Sequence, residues 1–181
     1  MIRSPRARCA GRRGVALVEM AFVSILLFLM LFGIFEYCRL LFVLHVSNNA
    51  ARDAVRYAVV HTGRGAMPGD PTSVSKQDLI DITTTGKLGT TNIGAGMCGM
   101  EKNITGYAVD VFSVDPAGLA QNPPVVQAMS GSPTPAWNAA KFGEKIAVQI
   151  TGTYAPALPS LVFMNVTIPF KVTVMYNSEA N

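Results

Sequence analysis

From Val15 to Phe35 the chain runs for 21 residues with a single charged side chain, Glu19. As a helix, at about 1.5 Å per residue, this stretch spans roughly 30 Å, the thickness of a bilayer's hydrocarbon core. An ordinary membrane anchor has no use for a carboxylate at that place. Burying a lone charge in lipid costs at least ~2.5 kcal/mol on the more lenient scale, so an acid inside such a segment is a candidate functional group. No proline interrupts the pattern before Gly63 and Gly65, so the spacing predicts one helix from Val15 to about His61.

Arg12-Arg13-Gly14 stands immediately ahead of the run, and Val15-Ala16-Leu17-Val18-Glu19 opens it. This arrangement resembles the type IV pilin and pseudopilin family, whose members carry a short basic leader ending in glycine and a glutamate at the fifth mature position. The run Gly14 to Val23 looks most like the TadE-like minor pseudopilins of the Tad (tight adherence, Flp) pilus system, as does Asn48-Asn49-Ala50-Ala51-Arg52-Asp53-Ala54-Val55-Arg56-Tyr57-Ala58. The family's major Flp pilins usually place tyrosine after the glutamate, where this chain has Met20, and they are very short. The resemblance therefore implies a minor component. It further implies cleavage between Gly14 and Val15 by a membrane aspartic prepilin peptidase and a role for Glu19 in subunit assembly. The implied partners are that peptidase, other Tad pilus subunits, the inner-membrane assembly platform and the lipid bilayer.

Composition bears on orientation and on what to exclude. Arg3, Arg6, Arg8, Arg12 and Arg13 precede the helix with no acid among them, and the whole chain carries a formal charge of +4. Removing these five takes 15 basic residues to 10, against 11 acidic ones. The basic balance belongs to the leader, and no basic face for nucleic acid is visible in the remainder. An excess of arginine ahead of the span predicts a cytoplasmic N-terminus and an extracytoplasmic C-terminal domain in a single-pass protein of the bacterial inner membrane, with incorporation into the pilus open. A cleaved secretory signal has a core of about 7–15 residues and a small-residue site. This run is longer, and no Ala-x-Ala pattern follows it. Cys9, Cys38 and Cys98 are scattered and form no metal framework. Cys38 and Cys98 read as unpaired thiols, with a bridge between them as the alternative.

Beyond the span the helix changes character. Ser47, Ala50, Ala51, Ala54 and Ala58 recur at spacings of three and four, with Val55 and Val59 beside them. They predict a small-residue face packed on the domain's own sheet, with Arg52 and Arg56 toward water or toward a neighbouring subunit. Thr62 to Thr72 reads as a loop. Ser75 and Asp78 suggest a capping-box start to a short helix over 76–84, and the glycine-rich stretch 86–99 reads as loop with an edge strand. Period-two alternation predicts strands over 105–114, 145–154 and 166–176. Pro169 marks a strand start or an edge. The proline-rich connection 116–136 reads as exposed, with Trp137 anchoring it to the core.

The expected fold class is α+β: a long N-terminal transmembrane helix extending into a small antiparallel β-sheet domain, pilin-like. The expected divisions are a basic leader over 1–14, the helix over 15–61 and an extracytoplasmic domain over 62–181. His45 and His61 lack nucleophile or carboxylate partners in any recognisable motif, and no phosphate loop is present. Asp78 and Asp81 read as a solvated helix face. No enzyme, cofactor, metal, nucleic acid or small-molecule substrate is expected. The alternative to an assembly subunit is a signal-anchored extracytoplasmic binding module with no filament role.

Overall fold

The structure, a computed structural model, describes residues 12–62, 74–121, 123–129, 137, 140–156 and 167–179. The leader up to residue 11, Gly63 and Gly65, and the part of the proline-rich connection holding Pro133 and Pro135 lie outside the described residues. The chain divides into two compact units, Met1–Arg39 and Leu40–Asn181.

In the first unit the described residues are one helical stretch, the opening of α1 (Arg12–Val60). The helix starts three residues ahead of the sequence expectation and ends one residue short of it, within the usual fraying of helix ends. It is long and apolar enough to cross a membrane, with a mean hydropathy of 2.6 in its most apolar 18-residue window, none of it buried. Side chains point outward all round: Phe22 is 71% and Leu26 73% exposed. A helix apolar on every side has no one face to give to a sheet, and lipid is the solvent that suits it. Arg39 and Glu36 pair at 3.8 Å, one turn apart.

In the second unit α1 acquires a buried face. Val43, Ser47, Ala50, Ala51, Ala54, Val55 and Ala58 are fully covered, while Arg52 and Arg56 are exposed. The small-residue stripe is thus core, and the arginines face away from it. Ser47 satisfies its buried hydroxyl by donating to Val43 O at 2.8 Å. At the helix end, the hydroxyls of Thr62 and Ser178 share a buried hydrogen bond at 3.0 Å, fastening α1 to the end of the last strand.

Helix α2 (Lys76–Thr85) has the capping box that the sequence indicated. The Asp78 N–H donates to Ser75 Oγ at 3.2 Å, and the Ser75 N–H donates to Asp78 Oδ2 at 2.7 Å. Gly86 ends the helix with φ +73°, and a Cβ there would run into the Gly94 carbonyl. The glycine-rich stretch forms a minimal hairpin, β1 (Lys87–Leu88) with β2 (Thr91–Asn92). Its role is local. The Ile93 and Gly94 N–H groups both donate to Gly86 O, so the loop folds back on the α2 cap.

Three ten-residue strands make the main sheet: β3 (Ile104–Ser113), β4 (Lys145–Tyr154) and β5 (Ile168–Asn177), antiparallel in that order. A 3₁₀ turn (Met100–Asn103) precedes β3, and a single helical turn, α3 (Pro116–Leu119), follows it. Central β4 buries Ile146, Val148, Ile150 and Tyr154 completely. These residues share one hydrophobic core with the buried face of α1, with Leu79 and Ile82 of α2, and with Met97 and Trp137. Trp137 therefore anchors its segment as expected.

The main sheet's register is interrupted at one place among the described residues. Between Thr105 and Ala108 the β3–β4 register shifts, so that Gly106 and Tyr107 together oppose Gly152. Gly106 takes φ +67°, the left-handed geometry of a bulge. The extra residue changes the phase, so Ile104 is buried along with Val109 and Val111. Gly152 is required here: a Cβ would strike Ile104 Cγ2 and lie 3.3 Å from the Phe170 ring.

Candidate functional site

Gly14, Val15 and Glu19 all lie in the first turns of α1, where a shallow groove is lined by Gly14, Val15, Val18, Glu19 and Phe22. Spacings of one, four, five and eight residues put these five on one side of a helix. Val15 and Glu19 are one turn apart, and both are exposed. Among the described residues no ion pair involves Glu19.

Nothing among the described residues requires glycine at position 14, nor at position 33 of the same helix. A Cβ built on either meets no atom within 4 Å. Gly86 and Gly152, by contrast, each have a neighbour that a Cβ would strike.

The second unit has its own features. A groove on the outer part of α1 is lined by Asp53, Arg56, Tyr57, Val60, His61 and Ile93. The rings of Tyr57 and His61 stack with centroids 4.1 Å apart, and His61 Nδ1–H donates to Tyr57 O at 2.8 Å. Burial, together with the nearby Asp78 carboxylate, raises the Tyr57 hydroxyl above its ordinary pKa. The sequence had exposed Arg56 as a candidate contact residue but gave no sign of Tyr57, since its partner Ile93 arrives from the glycine-rich loop.

Tyr107 is the other residue that sequence reading missed as a polar group. Alternation assigns its ring to the covered face, but its hydroxyl is buried without a well-formed hydrogen bond, as is one carboxylate oxygen of Glu101. Burial raises the Tyr107 pKa. The adjacent hydroxyls of Thr83 and Thr84 act against that rise, and Glu101 adds to it. Both threonine hydroxyls donate to Ile80 O, at 2.7 and 2.8 Å, which leaves only their lone pairs to face Tyr107. No periodicity reveals such a cluster, because it forms where α2, the 3₁₀ turn and the β3 bulge meet.

Cys38 and Cys98 are both free and exposed. Among the described residues no group of three or more His, Cys, Asp or Glu side chains is placed to hold a metal ion. Asp78 is committed to the α2 cap, and Asp81 accepts from Gln77 at 2.9 Å on the exposed side of the same helix.

No curated protein and no solved structure matches the chain. The family model described as TadE-like protein matches residues 14–56, a stretch that begins at Gly14 and takes in Glu19 and all of the alanine face but Ala58. The apolar opening of α1 and the start of its buried face are thus the part of this chain that is similar to the TadE-like family.

Proposed function

We propose that this chain is a minor pilin or pseudopilin of a Tad pilus, made as a precursor and cut between Gly14 and Val15 by a prepilin peptidase. The observation that carries this reading is the position of Gly14: it opens the TadE-like match, follows Arg12-Arg13 and stands five residues ahead of Glu19. A glycine at that place is what recognition by a prepilin peptidase would require. The five arginines ahead of the span favour a cytoplasmic N-terminus, with residues beyond the span outside that membrane.

Cleavage would free an α-amine on Val15, cationic near neutral pH with an ordinary pKa of about 7.7–8.0. Glu19 then stands fifth in the mature chain. In lipid each of these charges is costly alone, and each is a partner for the other. The Glu19 carboxylate of an incoming subunit would meet the amine of the subunit already in place, and this pairing would set the axial register. Packing of the surrounding apolar side chains would provide most of the adhesion. The working partners are the peptidase, other Tad subunits, the inner-membrane platform and the bilayer.

The groove at Arg56 and Tyr57 supports a second reading, a permanently anchored binding module. Intact mass and N-terminal sequencing of the membrane-inserted protein, with and without active prepilin peptidase, separate the two. A chain that starts at Val15 only when the peptidase is active supports the assembly subunit. A chain still carrying Arg12-Arg13-Gly14 in cells with active peptidase rejects it. Glu19→Ala is then expected to permit cleavage and to impair piliation, whereas the anchored module tolerates Glu19→Leu.

A further inference from the structure

The two edges of the main sheet are unlike. On β3 the chain covers part of its own edge: Val114 bridges Ala128, the Met129 N–H donates to Ser113 O at 3.1 Å, and the Asp115 N–H donates to Gln127 O at 3.0 Å. Among the described residues no strand lies beyond β5. Its phase can be read from the ladder. The Ser178 N–H donates to Glu144 O at 2.7 Å, and the register continues as Tyr176 with Ile146 and Val174 with Val148. Alternate residues of an antiparallel strand bond to the same neighbour. Even-numbered residues of β5 therefore face β4, and Lys171, Thr173, Met175 and Asn177 turn their N–H and C=O groups outward. Pro169 falls in the outward set, where its missing N–H costs the sheet nothing.

Proline and lysine are the usual guards of an exposed edge. Here both stand at one end, Pro169 and Lys171. Thr173 to Asn177 contains neither a charge nor a proline and runs for roughly 17 Å at strand rise. An outward row of alternating donors and acceptors recognises one chemistry, another extended backbone. We infer that the open half of β5, Thr173–Asn177, pairs antiparallel with β5 of a second copy of this chain, joining two three-stranded sheets into one of six strands. This inference is independent of the reading of Gly14 and Glu19.

The side chains favour a second copy. A two-fold axis at Val174 opposes Thr173 with Met175 of the partner subunit and Lys171 with Asn177 of the partner subunit. No like charges face each other, and both guards stay at the ends of the paired stretch. Tyr176, 38% exposed on the single chain, gains Val172 of the partner subunit as its cross-strand neighbour. A two-fold contact of this kind is closed and stops at two copies.

The test uses the full chain in detergent micelles, with Cys9, Cys38 and Cys98 replaced by serine. Single cysteines placed at positions 171, 173, 174, 175 and 177 are oxidised, and the disulfide-linked dimer is quantified for each. Cross-linking is expected to peak at Val174→Cys and to be weak for Lys171→Cys and Asn177→Cys. Met175→Pro removes one outward N–H and no bond to β4, as Pro169 does naturally. Added to Val174→Cys, it is expected to reduce the cross-linked dimer roughly tenfold or more, since it also leaves the partner's carbonyl unpaired. Thr173→Pro repeats the test at the neighbouring outward position, with circular dichroism showing that each variant keeps its sheet. A flat cysteine profile, or dimer yields unchanged by both prolines, overturns the proposal.

Discussion

The first turns of α1 and its later turns are one continuous helix built on opposite plans. From Val15 to Phe35 most side chains are large, apolar and exposed; from Val43 to Val59 they are small on one face, and that face is buried. Large side chains around the whole circumference suit a fluid solvent that contacts all sides equally. Alanines on one face let a sheet approach closely, but only where a matching surface exists to bury them. The same helical backbone thus serves two media, and side-chain size tells which is which.

The sharpest way to break that contrast is to make the same kind of deletion in both regions. Ile150→Ala, in the fully buried centre of β4, is expected to lower unfolding stability by about 2–5 kcal/mol. Leu26→Ala, on the exposed apolar helix, is expected to change the unfolding of the sheet domain by no more than ~0.5 kcal/mol. Chemical denaturation in mild detergent, followed by near-ultraviolet circular dichroism, reads both. Equal effects would mean that the first region is packed inside the protein after all.

Glycines extend the comparison at smaller magnitude. Gly86→Ala must place a Cβ at positive φ against the Gly94 carbonyl, with an expected loss of about 1–3 kcal/mol. Gly14→Ala meets nothing, so thermal unfolding should be unchanged or slightly raised, while cleavage after residue 14 should fail on immunoblots. Ser75→Ala, which removes half of the α2 capping box, is expected to cost ~1 kcal/mol and to leave the apolar helix untouched.

The smallest effect concerns pH. The Tyr107 pKa is raised in the folded protein above its ordinary value of 10.0. The folded state therefore holds this proton more tightly than the unfolded chain does. That contribution is complete below pH ~10 and is lost as pH rises through the folded value. Tyr107→Phe removes the titration together with a buried hydroxyl that lacks a good partner. Melting temperatures of the variant should match the native protein at pH 7 within a few degrees and decline less steeply above pH 10. An unchanged alkaline decline would assign it to other groups.

Much of this fold was legible because its signals are local. Ser75 and Asp78 lie three residues apart and gave the start of α2. Alternation placed Ile146, Val148 and Ile150 on the covered face of β4, as found. The bulge was not legible, because a period-two reading has no way to know that Gly106 and Tyr107 share one partner. Ile104 consequently changed face without any signal in its own neighbourhood. The residues proposed for processing and assembly were named through the family resemblance that the contiguous run Arg12-Arg13-Gly14 to Glu19 carries. The Tyr57–His61 groove needed Ile93 from a distant loop.

The sequence by itself determined the apolar span, its single acid, the arginines before it and the alternation of three strands, for each rests on neighbours in the chain or on a helical or strand period. Only the tertiary structure decided which glycines are confined and which stand in open space. Among the described residues it also decided that the Tyr107 hydroxyl is buried without a partner and that the β5 edge has no strand beside it. Those properties depend on what a residue meets across the fold, where sequence distance carries no force and steric contact and desolvation do.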